Sequence, residues 1–567
     1  MSFASAILII VVILAAACAP SSSGLTPSDP GQAGERSLQR TLSFPVFREV
    51  TALFPTMNTA GGAAATLRLF NAGLTVTDDV GNVHSELAEI PQLNTDTWRV
   101  LPDGRMETIY KLRRGLTWHD GQPLDAEDYV FASRVSANAS TGIRPSRAER
   151  LIESLVAADA GTLVIRWRSS YAGANRLAIA DLVPLPRHVL EQPFASLEQN
   201  PTEAEAFRNL GYWKAEFIGT GPYRLVRWEP GFQFEGAAFD GFALGRPRID
   251  RVIHKLMEDD AIMTELLAGT MDLGQLNFEH YDLLSRDWVP AGKGSLILAP
   301  GNIQPNWIQV KPEYVGHPAL LDVRVRRALA HSLDRQAIND GVFNGRGIMI
   351  ETLVPPNASF FSELERTIMR YPYDPRRSEQ LMNEVGFTKD REGFFADTSG
   401  ARFVLDFERN MESDRQRMQL IMIDTWQRAG FQVRAATIPV GAPPEHRATF
   451  PGLQGTGSAT ETSFYSGQIA TAQNRWTGSN NGGFSNAEYD RLYDGFNSTL
   501  DPSERTRQFI QLQRIFTEHL PMFITHFALN TWAVGSSLRG PKSEAKAIGD
   551  LTPGTERYFN IHEWEWK

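Results

Sequence analysis

Leu112-Arg113-Arg114-Gly115-Leu116-Thr117-Trp118-His119-Asp120-Gly121-Gln122-Pro123-Leu124-Asp125-Ala126-Glu127-Asp128 is the run on which the reading of this chain turns. Just before it, residues 107–112 alternate, with Ile109 on one face and Tyr110 and Leu112 on the other, which predicts a strand. His119-Asp120-Gly121 predicts a turn, because glycine takes the positive φ that ends a tight reversal. Asp125 then predicts an N-cap, its carboxylate accepting from the free amides of a helix that carries Val130, Phe131 and Val135 inward. Strand, turn and capped helix are local structure, and none of it is chemistry.

The totals bound the rest. At 567 residues the chain is too long for one core, and its 42% hydrophobic content is enough to fill two or three. A formal charge of −10 argues against nucleic acid or anionic lipid as the main partner, since both select basic surfaces. Cys18 is the sole cysteine, which excludes an intrachain disulfide, a Cys-based zinc site and a redox pair. It follows the apolar run from Ala6 to Ala17, which at about twelve residues falls short of the ~20 that a spanning helix needs and fits a signal-peptide core. An uncleaved anchor with an incidental cysteine is the alternative. Either places the body of the protein outside the cytoplasmic membrane.

Outward from the opening run, further matched segments accumulate: Gly73-Leu74, Leu87-Ala88-Glu89, Leu112-Arg113-Arg114-Gly115, Trp118-His119-Asp120-Gly121 and Ala126-Glu127-Asp128. In that order they resemble the signature of the family 5 extracellular solute-binding proteins, the peptide-, nickel- and opine-binding receptors of ATP-driven importers. Gly219-Thr220-Gly221-Pro222-Tyr223 is similar to the family's return from the second lobe to the first. Asp322-Val323-Arg324-Val325-Arg326-Arg327-Ala328-Leu329 with Leu333-Asp334-Arg335 is similar to the opening of its last lobe. The resemblance implies an α/β fold, periplasmic-binding-protein-like type II (cluster C), with three lobes and a hinged interlobe ligand cleft.

On that basis residues 1–17 are expected to be a signal peptide. Ala15-Ala16-Ala17-Cys18 resembles a lipobox, which makes Cys18 the lipidated residue, and 18–41, rich in Ser, Pro and Gly, a lipid-anchored flexible tether. Lobe I is expected from 42–76, 216–304 and 535–567, lobe II from 77–215 and lobe III from 305–534. The implied function is the extracytoplasmic substrate-binding component of an ABC importer, a monomer that captures a small solute and passes it to permease and ATPase subunits. Peptide is the default ligand; sugars, opines and metal chelates stay open. The alternatives are a ligand-sensing receptor and an extracytoplasmic hydrolase. No cofactor or metal is expected, and the membrane is touched only through the lipid anchor.

Candidate ligand residues are sought in polar and aromatic stretches without a helical or strand period. Residues 457–484 supply Tyr465, Arg475, Trp476, Asn480 and Asn481, which suit one apolar wall and several directional hydrogen bonds. Asn306 and Trp307 come from a second stretch, 302–309, and Asn58 from the loop after the first apolar segment. An ordinary surface loop and a core tryptophan are the bland alternatives. Peptide receptors of the family often hold an α-ammonium with an Asp in Trp-x-Asp-Tyr-x-Asp-Pro; residues 449–461 lack it and offer only Glu461. Catalytic patterns are weaker still. His119-Asp120 and His562-Glu563 lack the i, i+4 partner of a zinc helix, and there is no Gly-x-Ser-x-Gly elbow.

Overall fold

The computed structural model describes residues 41–46, 49–57, 64–78, 81–356, 358–410, 413–439, 441–541 and 558–567, and all that follows concerns these. The expected leader, Cys18, Asn58 and all of the expected tether but Thr41 lie outside the described residues. Among the described residues no helix is long and apolar enough to cross a membrane.

The signature run folds as its residues dictate. The strand is Met106–Lys111, with Thr108 and Tyr110 buried. Asp125 caps the helix Ala126–Ala137, accepting from the Glu127 amide at 2.9 Å, while Asp128 accepts from the Asp125 amide at 3.2 Å. This is a reciprocal capping box. The helix serves two cores. Ala126 and Tyr129 enter the one under the antiparallel sheet of Trp98–Val100, Met106–Lys111, Thr162–Trp167 and Ile152–Asp159. Phe131, Ala132 and Val135 enter the other.

That other core lies against a second sheet, in which Thr41–Val46 pairs parallel to Arg251–Leu256, followed by antiparallel Gln233–Ala238 and Tyr223–Glu229. The opening apolar segment supplies the strand Thr41–Val46 of this sheet. Leu190, Phe194 and Leu197 of the helix Arg187–Gln199 pack into this core with Tyr558, Ile561 and Trp564 near the C-terminus.

The third sheet has six strands, ordered Leu273–Asn277, Met522–Gly535, Gly294–Ile308, Leu453–Gly455, Val404–Arg409 and Gln432–Thr437. Two of these strands are unusually long. Gly294–Ile308 and Met522–Gly535 run antiparallel from Gly294 opposite Gly535 to Trp307 opposite Met522, with register shifts at Pro300/Ile303 and Ile303/Pro305. Proline gives no ladder donor, so such breaks are where a strand tolerates it. One end of the pair places Ile297, Trp532 and Val534 in the first sheet's core. The other places Ile308, Phe523 and Leu529 in a core built with Phe407 and Trp426. Residues 302–309, expected to lack a strand period, are strand as far as Ile308, and this is a correction. Gln304, Asn306 and Gln309 are buried as completely as Ile303 and Trp307, so both faces of the strand are covered and neither is solvated.

A three-way backbone crossing ties the signature segments together. Gly221 N donates to Phe70 O at 3.1 Å and Ala72 N to the Thr220 hydroxyl at 3.1 Å. A Cβ on Gly219 would lie 2.0 Å from Phe70 O, so only glycine fits this approach. The His119 ring completes the knot. Its Nδ1 accepts from the Gly219 amide at 3.1 Å and its Nε2 lies 3.0 Å from Gly221 O, which fixes the proton on Nε2. Burial holds the imidazole pKa down at about 4. The unfolded chain then binds a proton that the folded one refuses between about pH 6.5 and 4, so this contribution to stability falls as the pH drops. The stability gap between wild type and His119→Gln, from urea unfolding, is expected to be largest at pH 7 and to close by about pH 4. A gap independent of pH overturns this assignment.

Candidate functional site

The helix Ala487–Ser498 starts at Asn486, whose side chain accepts from the Tyr489 amide at 2.9 Å. From that start Tyr489, Tyr493 and Phe496 fall on one buried face. Tyr489 Oη donates to Glu461 O at 2.7 Å and so holds the turn Glu461–Phe464 against the helix. Tyr493 Oη meets the Thr462 hydroxyl at 2.9 Å, and its ring stacks on Tyr465 with centroids 4.7 Å apart.

Facing these groups is a segment of the antiparallel sheet's own region. Ser146 caps the short helix Arg147–Leu151 in a capping box with Glu149. Arg147 extends from it to donate to Tyr493 Oη at 3.1 Å, its guanidinium carbon 5.4 Å from the ring centroid. A backbone bond from Ala172 N to Asn497 O at 3.3 Å makes a second tie, and Leu500 packs against the antiparallel sheet's core. Residues 146–181 and 461–500 thus meet along a seam that is polar, aromatic and charged.

The electrostatics give the seam its character. Burial pushes the Asp181 carboxyl up to about 6, against the opposing pull of the Ala178 amide and Arg176. Burial also raises Glu461, which Arg147 partly offsets, and it raises Glu149 and the phenol of Tyr171. All four side chains are nonetheless only half-buried. Groups that have lost much of their hydration while solvent still touches them line the seam. Such a lining offers hydrogen bonds and unneutralised charge to a guest.

Of the residues expected from sequence, the structure brings Tyr465 to this seam. Asn480 stands behind it, fully buried. Its amide donates to Tyr465 O at 3.2 Å and Phe484 O at 2.7 Å, and its carbonyl accepts from the Gly483 and Phe484 amides at 3.0 Å each. Trp307 is 1% exposed, with Nε1 on Thr456 O at 3.2 Å and its ring beside Phe464. Asn306 is fully buried in the sheet, donating to Phe523 O and accepting from Arg409 at 2.7 Å. Arg475 and Trp476 lie at the far end of the loop, both at positive φ, 53° and 60°. Such conformations are uncommon for side-chain-bearing residues. Trp476 is edge-on to Tyr314, over which Lys311 sits, while Arg475 is exposed and Asn481 half-buried. Arg147, Tyr171, Asp181 and Tyr493 were not singled out from sequence. Ser146-x-x-Glu149 and the spacing of Tyr489 and Tyr493 are the signals that could have flagged their neighbourhoods.

Comparison with known proteins follows this geometry. Residues 89–488 match the family model described as bacterial extracellular solute-binding proteins, family 5 Middle. The chain is similar to the oligopeptide-binding protein AppA of Bacillus subtilis, at 24% identity over 87% of this chain and 85% of that protein. Among solved structures it is similar to NikZ from Campylobacter jejuni in complex with Ni(L-His), with TM-score 0.74, 20% identity, and 92% and 99% of the two chains covered. It is equally similar to the Thermus thermophilus oligopeptide-binding protein complexed with a pentapeptide, with TM-score 0.74, 20% identity, and coverage of 93% and 96%. The chain shares with them the α/β type II periplasmic-binding-protein fold.

Asn480 makes four bonds within its own loop, so its loss is expected to loosen that loop. Asn480→Ala should cost about 2–4 kcal/mol by urea unfolding, since buried backbone groups are left unpaired. Hydrogen exchange should speed up across residues 465–484 and stay unchanged in the first sheet. A variant with wild-type exchange there would show that the side chain is not the pin.

Proposed function

Since the chain belongs to the bacterial extracellular solute-binding proteins, family 5, we propose that it is the extracytoplasmic substrate-binding component of an ABC importer. In this reading it captures a small solute at the seam between residues 146–181 and 461–500 and delivers it to a permease and its ATPase. Relatives named for oligopeptides support a peptide as the default solute. The residues proposed to face it are Tyr465 with Arg147, Tyr171, Asp181, Glu461 and Tyr493. Asn306, Trp307 and Asn480 support the wall behind them, and Arg475, Trp476 and Asn481 form its outer lip. The division into three lobes belongs to the same proposal, as does lipid anchoring through Cys18.

One observation carries the reading: half-exposed but dehydrated charged groups on two segments, bridged by Arg147 and Tyr493. A solute that bonds to both segments stabilises the closed arrangement by its differential affinity. Arg147 is suited to an acceptor such as a carboxylate or a peptide carbonyl, and the carboxyls to an ammonium or amide. Elements that close on a ligand must also separate, and a seam held by few direct bonds lets them.

Native mass spectrometry of protein purified without refolding is expected to show a retained solute, and di- to nonapeptides are the first probes for binding by calorimetry. Arg147→Ala is expected to weaken the best of them about 10- to 100-fold, in line with loss of a charged hydrogen bond. Solute should also reduce the radius of gyration in X-ray scattering. Retained affinity and an unchanged radius in Arg147→Ala, against closure in wild type, would move the site elsewhere. Absence of any bound solute and of any closure would overturn the reading.

A further inference from the structure

Away from the seam, the described residues hold one group of metal-ligating side chains whose donor atoms converge. Asp259, Glu279 and His280 each place a donor within 4.8 Å of the others. Asp259 opens the helix Asp259–Ala268, and its Oδ2 accepts from the Asn277 amide at 3.1 Å. Glu279 and His280 lie within the turn Phe278–His280, so the helix start and the turn are held together before any ion is considered.

The imidazole points to a ligand independently of the carboxylates. His280 Nε2 is sealed from solvent and has no hydrogen-bond partner, the side chain being 14% exposed. It stands 3.9 Å from a carboxylate oxygen of each of Asp259, Asp260 and Glu279. That is too long for a hydrogen bond, which needs about 3.2 Å or less. It is close to the ~3.3–3.6 Å between donors around a tetrahedral ion with arms of about 2.0–2.2 Å. This buried nitrogen stands near three carboxylates and is hydrogen-bonded to none.

We propose that Asp259, Glu279 and His280 bind one divalent cation of the zinc, cobalt or nickel class. Asp260, whose carboxylate is fully exposed, swings in as the fourth ligand. The imidazole selects against calcium and magnesium, which take oxygen alone, and the absence of a thiolate selects against softer ions. The same turn leads to Asp282, which pairs with Arg346 at 2.6 Å and accepts from Asn344, while Phe278 lies 5.9 Å from Phe343. The ion therefore tethers the start of helix Asp259–Ala268 to a turn that also braces residues 335–346. This site does not depend on the solute reading, and none of its ligands belongs to the seam.

The test uses the full chain, stripped with chelator and titrated with zinc chloride at pH 7.5 by calorimetry and thermal melting. One equivalent is expected to bind and to raise the melting temperature by about 2–3 °C at a hundredfold excess over Kd. Cobalt in its place should give the visible absorption of a four-coordinate site. His280→Gln should abolish that equivalent, and Glu279→Gln, a change at an exposed carboxylate, should weaken it at least tenfold while the far-ultraviolet dichroism stays that of wild type. Tyr465→Ala at the seam should leave it intact. No zinc binding by wild type, or equal binding by wild type and both ligand variants, would overturn the site.

Discussion

Two antiparallel strands, Gly294–Ile308 and Met522–Gly535, are the constraint on which the rest of the structure depends. Their ends belong to different hydrophobic cores, so the same backbone hydrogen bonds that stabilise one core also tether it to the next. Toward its Ile308 end the first strand buries Gln304 and Asn306, with Gln309 just beyond it, beside the apolar side chains. Each finds partners: Asn306 bonds across to Phe523 O and to Arg409, and Gln309 donates to Ala448 O and Phe450 O. Satisfied polar groups of this kind fix one register, because a slip by one residue would strand them all.

A second buried device stands where the first two cores join. Arg68 and Glu86 pair at 2.6 Å, each 1% exposed, with Glu86 also accepting from the Gly73 amide at 2.8 Å and Arg68 donating to Asn71 O and Phe559 O. Desolvation lifts the Glu86 carboxyl in spite of its cationic neighbour, so the pair offsets its burial cost only in part. Removing one partner would leave the other charged and unpaired, a loss of about 3–5 kcal/mol. The pair thus makes the joint specific more than it makes it strong, and the glycines of the crossing act likewise by admitting only one close approach.

These features were legible to different degrees for a physical reason. Caps and turns are encoded within a few residues, so Asp125 could be read directly, and its side chain does accept a helix-start amide. The long strands could not be read, because both faces are covered and no solvated face marks them out. The seam was hidden for a different reason: Arg147 and Tyr493 are 346 residues apart, and neither carries a local mark of its partner. Tyr465 could be singled out because an aromatic in an irregular stretch is suspicious in itself, and the structure places its ring on Tyr493. Asn480 attracts the same suspicion, though its bonds in the structure serve its own loop. The convergence on His280 was missed because Asp259 and His280 lie on separate elements outside any zinc-helix spacing.

The seam's chemistry fits the closure proposed for it. A ligand that touched only residues 461–500 would bind the open and closed arrangements alike and shift nothing, however tightly it bound. Closure therefore requires groups on both segments that remain incompletely satisfied without the ligand. A hydrophobic seam would close unaided, and a fully paired ionic one would be locked by the cost of exposing each partner. Dehydrated but reachable carboxyls at Asp181 and Glu461, with one arginine shared between a phenol and its surroundings, lie between these extremes. The energy of rehydrating them favours opening, and the bonds a two-sided solute would make favour closing. In the proposed closure those opposed terms need differ by only a few kcal/mol to shift the balance between the open and closed arrangements.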